Sequence, residues 1–138
     1  MVRARQILLA LIHAIVAGTS FHADALPSNA IPTRIVGAAK RGDEAAVVAW
    51  LDGGGQVDAT FKDTRQNIAV SGLTLLMAAT DGGHEQLVDT LLRRGADPNQ
   101  QESEGWTVLM IASAKGRMRL VQTLLWHGAE CNHRNRVG

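Results

Sequence analysis

The chain has 138 residues, of which 46% are hydrophobic and 20% are charged, and its Lys and Arg outnumber its Asp and Glu by one. This length suits one domain, and so even a balance of charge argues against the clustered basic surface of a nucleic-acid-binding protein. Cys131 is the one cysteine in the sequence, which excludes an intramolecular disulfide, so stability must come from packing.

The first 25 residues predict a secretory signal peptide. Arg3 and Arg5 precede an apolar stretch from Ile7 to Val16, and Ala23-Asp-Ala25 has the small residues of a leader cleavage site. The apolar stretch has about ten residues, whereas a membrane-spanning helix needs roughly 20. An uncleaved membrane anchor is the alternative. A mitochondrial leader fits less well, because the arginines are not spread along the segment.

Cleavage would leave residues 26–138 as the mature domain, in the periplasm or outside the cell. The leader contains two of the basic residues and one of the acidic residues, so the mature domain has no net formal charge. A neutral domain has no long-range electrostatic attraction to membranes or nucleic acids. We therefore expect neither to be a partner of the mature protein.

A degenerate unit at about residues 31–58 opens the mature domain. Its small and apolar residues from Ile35 to Ala39 end at Gly42, and a second apolar stripe ends at Trp50-Leu51. The next helix-ending glycine, Gly83, comes 41 residues after Gly42. The excess over a regular repeat falls within residues 59–71 and predicts a loop on one face of the stack, often the binding face.

Two further segments match each other at a constant offset of 33 residues. Gly72 to Asn99 aligns with Gly105 to Asn132, with threonines, glycines and pairs of leucine or valine at the same positions. A fixed period of this size is typical of a solenoid, in which small units stack on one another. The alignment predicts repeats at about residues 71–103 and 104–136.

Each of these units predicts two helices. A threonine precedes a short apolar run, where its hydroxyl can accept a free backbone N–H at the helix start. A glycine ends this helix, because glycine adopts the left-handed conformation at low cost, and a second helix with one apolar stripe follows. The threonines are Thr74 and Thr107, the first glycines Gly83 and Gly116, and the second helices residues 85–94 and 118–127, ended by Gly95 and Gly128.

The period, the helix-ending glycines and the Gly95-Ala-Asp-Pro-Asn99 ending resemble an ankyrin repeat domain over roughly residues 31–138. The resemblance implies an all-α fold, an α-solenoid of about three helix-turn-helix repeats joined by β-hairpin loops. The family's Thr-Pro-Leu-His becomes Thr74-Leu-Leu-Met77 and Thr107-Val-Leu-Met110. We therefore expect the usual histidine hydrogen bonds between repeats to be missing, with methionine packing in their place. His84, after a helix-ending glycine, is expected to be structural.

The resemblance also implies a function. Ankyrin domains usually bind proteins along the hairpin tips and the exposed side of the first helices, so we expect a non-catalytic interaction module, exported to the periplasm, that binds or inhibits a protein partner. Trp106 is the expected anchor, or it covers the neighbouring repeat. The implied contact residues are Lys40, Arg41, Asp81 and Lys115 on the concave side, Lys62 and Arg65 in the insertion, Gln100, Gln101, Glu102 and Glu104 at the second tip, and Leu73 and Trp106 just after the turns.

Two alternatives stay open. One is an exported effector that acts on a host protein. The other is a small metal-binding protein that uses Cys131 and His133, although one Cys-x-His pair falls short of the four ligands of a structural zinc site. No serine has a nucleophile-elbow pattern and no glycine loop has the residues of a phosphate cradle. We therefore expect no enzyme activity, no cofactor and no bound metal.

The last predicted helix has an apolar surface at a place where a solenoid normally ends in a polar cap. Trp126 stands beside Leu124 and Leu125, whereas terminal repeats usually carry a polar outer face. Either another chain covers this face, which includes self-association through the C-terminal repeat, or the chain is shorter than its relatives.

Overall fold

The computed structural model describes residues 30–65 and 67–137. The predicted signal peptide, residues 1–25, lies outside these ranges. The described part contains three helix pairs, with a two-stranded hairpin between the first pair and the second. Its elements are α1 (Thr33–Arg41), α2 (Glu44–Asp52), β1 (Thr60–Arg65), β2 (Ile68–Thr74), α3 (Leu75–Gly82), α4 (Glu85–Arg93), α5 (Val108–Ala114) and α6 (Met118–Trp126). None of these helices is long and apolar enough to cross a membrane.

The helix starts follow from local hydrogen bonding. The hydroxyl of Thr74 accepts from the backbone N–H of Met77 at 3.2 Å, and that of Thr107 accepts from Met110 at 3.3 Å. Each hydroxyl satisfies one N–H group that the helix itself leaves free. Both threonines are therefore N-caps, as the sequence predicts.

The core runs through the stack, between one helix pair and the next. Ala39, Ala79 and Ala112, one from each first helix, are fully buried. Because these side chains are small, the first helices approach closely and stack in a row. The second helices add leucine and valine stripes, of which Leu87 and Leu120 are buried at matching positions.

The insertion is a regular β-hairpin, so the prediction of a loop there, and with it the purely α-helical fold, is wrong. β1 and β2 pair antiparallel, with Phe61 opposite Leu73 and an irregularity in the register before Asp63. Phe61 and Val70 are buried against the core. Because alternate side chains of a strand point to opposite faces, the apolar ones are buried while Lys62 between them stays exposed. The second tip, between α4 and α5, consists of turns without strands.

A histidine joins the first two repeats, although the motif histidine is absent. His84 Nε2 lies 2.8 Å from the backbone oxygen of Lys40 and donates to it. The expectation that histidine hydrogen bonds between repeats are missing is therefore wrong at this interface, because His84 supplies one from the turn before α4. Its ring lies over Gly42, where a Cβ would come within 2.4 Å of Nδ1. In the next repeat Arg117 lies over Gly83 in the same way.

Substitution of these glycines should separate the cost of backbone conformation from the cost of close approach. Gly42 and Gly95 both have positive φ, of 76° and 91°, but a Cβ on Gly95 would meet nothing within 4 Å. Gly95→Ala should therefore lose about 1–2 kcal/mol of unfolding free energy through φ alone. Gly42→Ala should lose about 1 kcal/mol more, because the imidazole must move away from the oxygen of Lys40.

Urea denaturation of the four chains Gly95→Ala, Gly42→Ala, His84→Ala and the double variant Gly42→Ala/His84→Ala measures this difference. In the His84→Ala background, the cost of Gly42→Ala should fall to that of Gly95→Ala, since no ring then covers the glycine. Equal costs for Gly42→Ala with and without His84 would contradict the close-approach explanation.

Candidate functional site

The tips of the repeats form a continuous edge along one side of the stack. The backbone N–H of Ser103 donates to the oxygen of Ser71 at 2.8 Å, and one repeat later the N–H of Arg136 donates to the oxygen of Glu104 at 3.0 Å. Gly72 and Gly105, both with positive φ, permit this approach, since a Cβ on Gly105 would lie 2.9 Å from the next tip. Each tip is thereby held at a defined distance from the one before it.

A groove of about 410 Å³ opens between α1 and the hairpin. Val36 and Phe61, which are mostly buried, form its apolar floor, and Lys40, Lys62 and Asp63 stand at its polar rim. An apolar floor with a few polar groups at the rim is the usual construction of a binding groove.

Ion pairs align the charges on the concave side. Lys40 Nζ lies 2.5 Å from Asp63 and joins α1 to β1, and Lys115 Nζ lies 3.2 Å from Asp81 and joins the third repeat to the second. All four side chains are partly exposed, so each pair contributes at most about 1 kcal/mol to stability. Lys62 is exposed and has no ion pair with any residue that the structure describes, so its charge is available to a partner.

The structure brings some of the sequence-predicted residues together and separates others. Lys40 and Lys62 share the groove, whereas Arg41 lies in a depression at the N-terminal end, with Arg34 and Trp50. Arg41 is therefore not part of the concave side, and that prediction is wrong. Only the backbone of Arg65 is described, in β1.

Two residues at the second tip form contacts within the chain. The Gln101 amide donates to the backbone oxygens of Gly105 at 2.9 Å and Arg134 at 3.2 Å. Gln100 and Trp106 are half-buried, and Trp106 packs against the core while keeping part of its ring exposed. Gln101 therefore holds the third tip to the second as well as facing solvent.

Leu73 is a core residue, so its prediction as a surface contact is wrong. It is 1% exposed, because β2 continues up to the N-cap of α3 and turns this side chain inward against the stacked helices. Its aligned position in the next repeat is Trp106, which is larger and remains partly exposed.

Glu102 is also buried, at 7% exposure, so its prediction as a contact residue is wrong. Its carboxylate accepts from the backbone N–H of Trp106 at 2.8 Å and from that of Glu104 at 3.0 Å. Charged acceptors form stronger hydrogen bonds than neutral ones. Glu102 therefore shapes the second tip, while the neighbouring Glu104 is partly exposed and lies 3.5 Å from Arg136.

Asp63 is the groove residue that the sequence prediction omitted. It stands beside the predicted Lys62, yet its contact with Lys40 crosses from β1 to α1. Nothing in the order of residues marks that contact, because the two residues are 23 positions apart. The available signal was an acidic residue next to a lysine within the insertion.

The residues proposed for metal binding are not gathered into a site. Cys131 is an exposed free thiol, and His133 Nε2 lies 4.0 Å from Glu130. Among the described residues, no three His, Cys, Asp or Glu side chains are grouped so that they could hold a metal ion.

Removal of the Glu102 carboxylate should destabilise the second tip. In Glu102→Ala the N–H groups of Glu104 and Trp106 lose their acceptor, which should cost about 2–3 kcal/mol of unfolding free energy. Glu104→Ala removes only an exposed ion pair and should cost less than about 1 kcal/mol. Denaturant unfolding measures both values, and equal losses in the two variants would show that Glu102 does not organise the tip.

Comparison with known proteins agrees with this architecture. The family model described as ankyrin repeats, in three copies, matches residues 35–135, which is well over half of the chain. No curated protein matches the chain. The matched range covers all three helix pairs, the β-hairpin and the stacked tips. With three stacked helix pairs, glycine-ended first helices and tips aligned along one edge, the chain belongs to the ankyrin repeat family.

Proposed function

We propose that this protein is an exported, non-catalytic binding module that holds a protein partner across the α1–hairpin groove and the adjoining tips. Ankyrin repeats are generally protein–protein interaction modules. The observation that carries the proposal is the groove itself, an apolar floor bordered by Lys40, Asp63 and the unpaired Lys62. Such a surface suits a partner segment with one apolar side chain and a nearby carboxylate.

The contacts around the groove support this choice of partner chemistry. Phe61 and Val36 leave an apolar surface between α1 and β1 that an aliphatic or aromatic side chain would cover. Lys62 stands exposed at the rim, where a partner carboxylate would be partly desolvated and more strongly attracted than in open solvent. Lys40 is already paired with Asp63, so Lys62 supplies the selective charge.

The tips extend the proposed surface toward the third repeat. Glu102 and Gln101 hold the second tip in one shape, which lowers the entropy that binding must overcome. The exposed part of Trp106 and the Asp81–Lys115 pair on the concave side offer further contact area next to the groove.

Export is supported by the basic residues, apolar stretch and small-residue cleavage pattern of residues 1–25. We expect the protein recovered from the periplasm or the medium to begin at Leu26, as intact-mass measurement of the purified protein would show. A chain that keeps Met1 and fractionates with membranes would instead indicate an uncleaved anchor.

A binding assay tests the role of the groove. Residues 26–138 are immobilised and exposed to extract from the compartment that receives the protein, and the retained partner is then titrated against variants. Lys62→Glu should weaken the complex at least tenfold, or about 1.4 kcal/mol, because it places a carboxylate against the partner's own. Arg93→Glu on α4, outside the groove, alters a similarly exposed cation and should leave the affinity within about twofold.

Equal affinities for Lys62→Glu and the unmodified chain would move the binding surface away from the groove. Retention of no protein by a chain that circular dichroism shows to be folded would contradict the proposed function in that compartment. In that case an external target, as for an exported effector, would become the better explanation.

A further inference from the structure

Adjacent repeats in this chain are joined by charge pairs with a constant direction. Asp81 and Glu85 of the second repeat face Lys115 and Arg119 of the third, at 3.2 and 3.9 Å. Asp89 faces His127 at 3.5 Å, and at the first interface Asp52 faces Arg94 at 2.5 Å. In each case the earlier repeat supplies the carboxylate and the later repeat supplies the basic side chain.

The third repeat has lost these carboxylates on the side that faces away from the second repeat. The positions aligned with Asp81, Glu85 and Asp89 carry no acidic residue; they are occupied by Ala114, Met118 and Gln122. The third repeat is therefore not equipped to receive another unit of the kind that stacks elsewhere in this chain.

Apolar side chains stand on this side instead. Leu125 is 46% exposed, whereas Leu92, at the aligned position of the second repeat, is 6% exposed. Trp126 is 83% and Met118 is 68% exposed, and the second repeat has Arg93 and Glu85 at the two positions. The C-terminal end face, defined as Ala114, Met118, Gln122, Leu125 and Trp126, is therefore uncharged and largely apolar.

The residues of α6 in this set form one stripe. Met118, Gln122, Leu125 and Trp126 are spaced by four, three and one residues, which places them on one side of a helix. Exposed apolar surface of this kind, concentrated at one end of a protein, marks a contact site. None of the described residues packs over it.

Charge decides between two ways in which a second copy could cover the face. In a head-to-tail stack, the N-terminal end of another copy would bring Arg34 and Arg41, and the end face has no carboxylate to pair with them. Unpaired cations buried in an interface are costly. In a face-to-face pair, an uncharged surface meets an identical one, so no charge is left without a partner.

We propose that the C-terminal end face is the interface of a two-fold symmetric homodimer. Trp126, Leu125 and Met118 of each copy cover the same residues of the other, so the contact is closed and stops at two chains. The interface is built on α5 and α6, whereas the groove lies between α1 and β1. Dimerisation therefore does not depend on the function proposed for the groove.

Sedimentation equilibrium of the full chain over a range from about 1 µM to about 1 mM tests the proposal. The average mass should rise with concentration and level off at twice the mass of one chain. Met118→Glu/Trp126→Arg restores the residue types that the second repeat carries at these positions, so the fold has a precedent in the same molecule. This variant should weaken the association at least about 100-fold, because the interface centre becomes charged.

Ile68→Glu is the matched control. Ile68 is a large apolar residue, 57% exposed on β2 and away from the end face, so its replacement should leave the dimer unchanged. Both variants keep residues 1–29, so any association through that segment would be common to all three chains. Circular dichroism verifies that each variant is folded.

A cysteine placed in the interface tests the symmetry. Gln122→Cys in a Cys131→Ser background should give a covalent dimer on mild oxidation, because a residue near a two-fold axis lies close to its own copy. Ala45→Cys on α2, an exposed position, serves as the control and should not cross-link.

Three results would overturn the proposal. The first is a chain that stays monomeric over the whole concentration range, which would leave the face to a different protein. The second is a mass that grows beyond two chains without levelling off, which indicates head-to-tail assembly. The third is a Met118→Glu/Trp126→Arg variant that associates as tightly as the unmodified chain. If that variant does not fold, Gln122→Asp, which restores the aligned Asp89, should weaken the dimer about tenfold in its place.

Discussion

Each helix pair in this protein has an apolar stripe that it cannot bury by itself, and only the neighbouring pair can cover it. Leu92 on α4 is buried because the third pair stacks over it, while Leu125 at the aligned position of α6 is nearly half exposed. The two leucines have the same sequence neighbourhood and differ only in whether another pair follows. Burial of a leucine contributes about 1.5–3 kcal/mol, so stability in this fold belongs to the interfaces between repeats more than to the repeats themselves.

Polar contacts set how one repeat sits on the next. His84 and Arg117 reach back over Gly42 and Gly83, where any side chain would collide with them. These glycines are therefore required twice, by their positive φ and by the overlying residue. The directional ion pairs across each interface add little energy individually, but they distinguish the side of a repeat that faces forward from the side that faces back.

The hairpin between the first two repeats gives the concave side its one deep feature. Phe61 and Val70 anchor it to the core, and Lys40 and Asp63 join its strand to α1. A flexible loop of the same length would order only on binding and would lose affinity to entropy. A paired hairpin instead presents Lys62 beside a preformed groove.

The sequence by itself determined the elements whose causes are local: the 33-residue period, the threonine caps, the glycine helix ends and the leucine stripes all depend on residues a few positions apart. The helix boundaries agree with the structure to within a residue or two for the same reason. Only the tertiary structure decided which surface residues are free. Leu73 and Glu102 are buried, Arg41 lies at the N-terminal end, and Asp63 meets Lys40, because these outcomes depend on neighbours brought together by stacking, and no spacing along the chain records them.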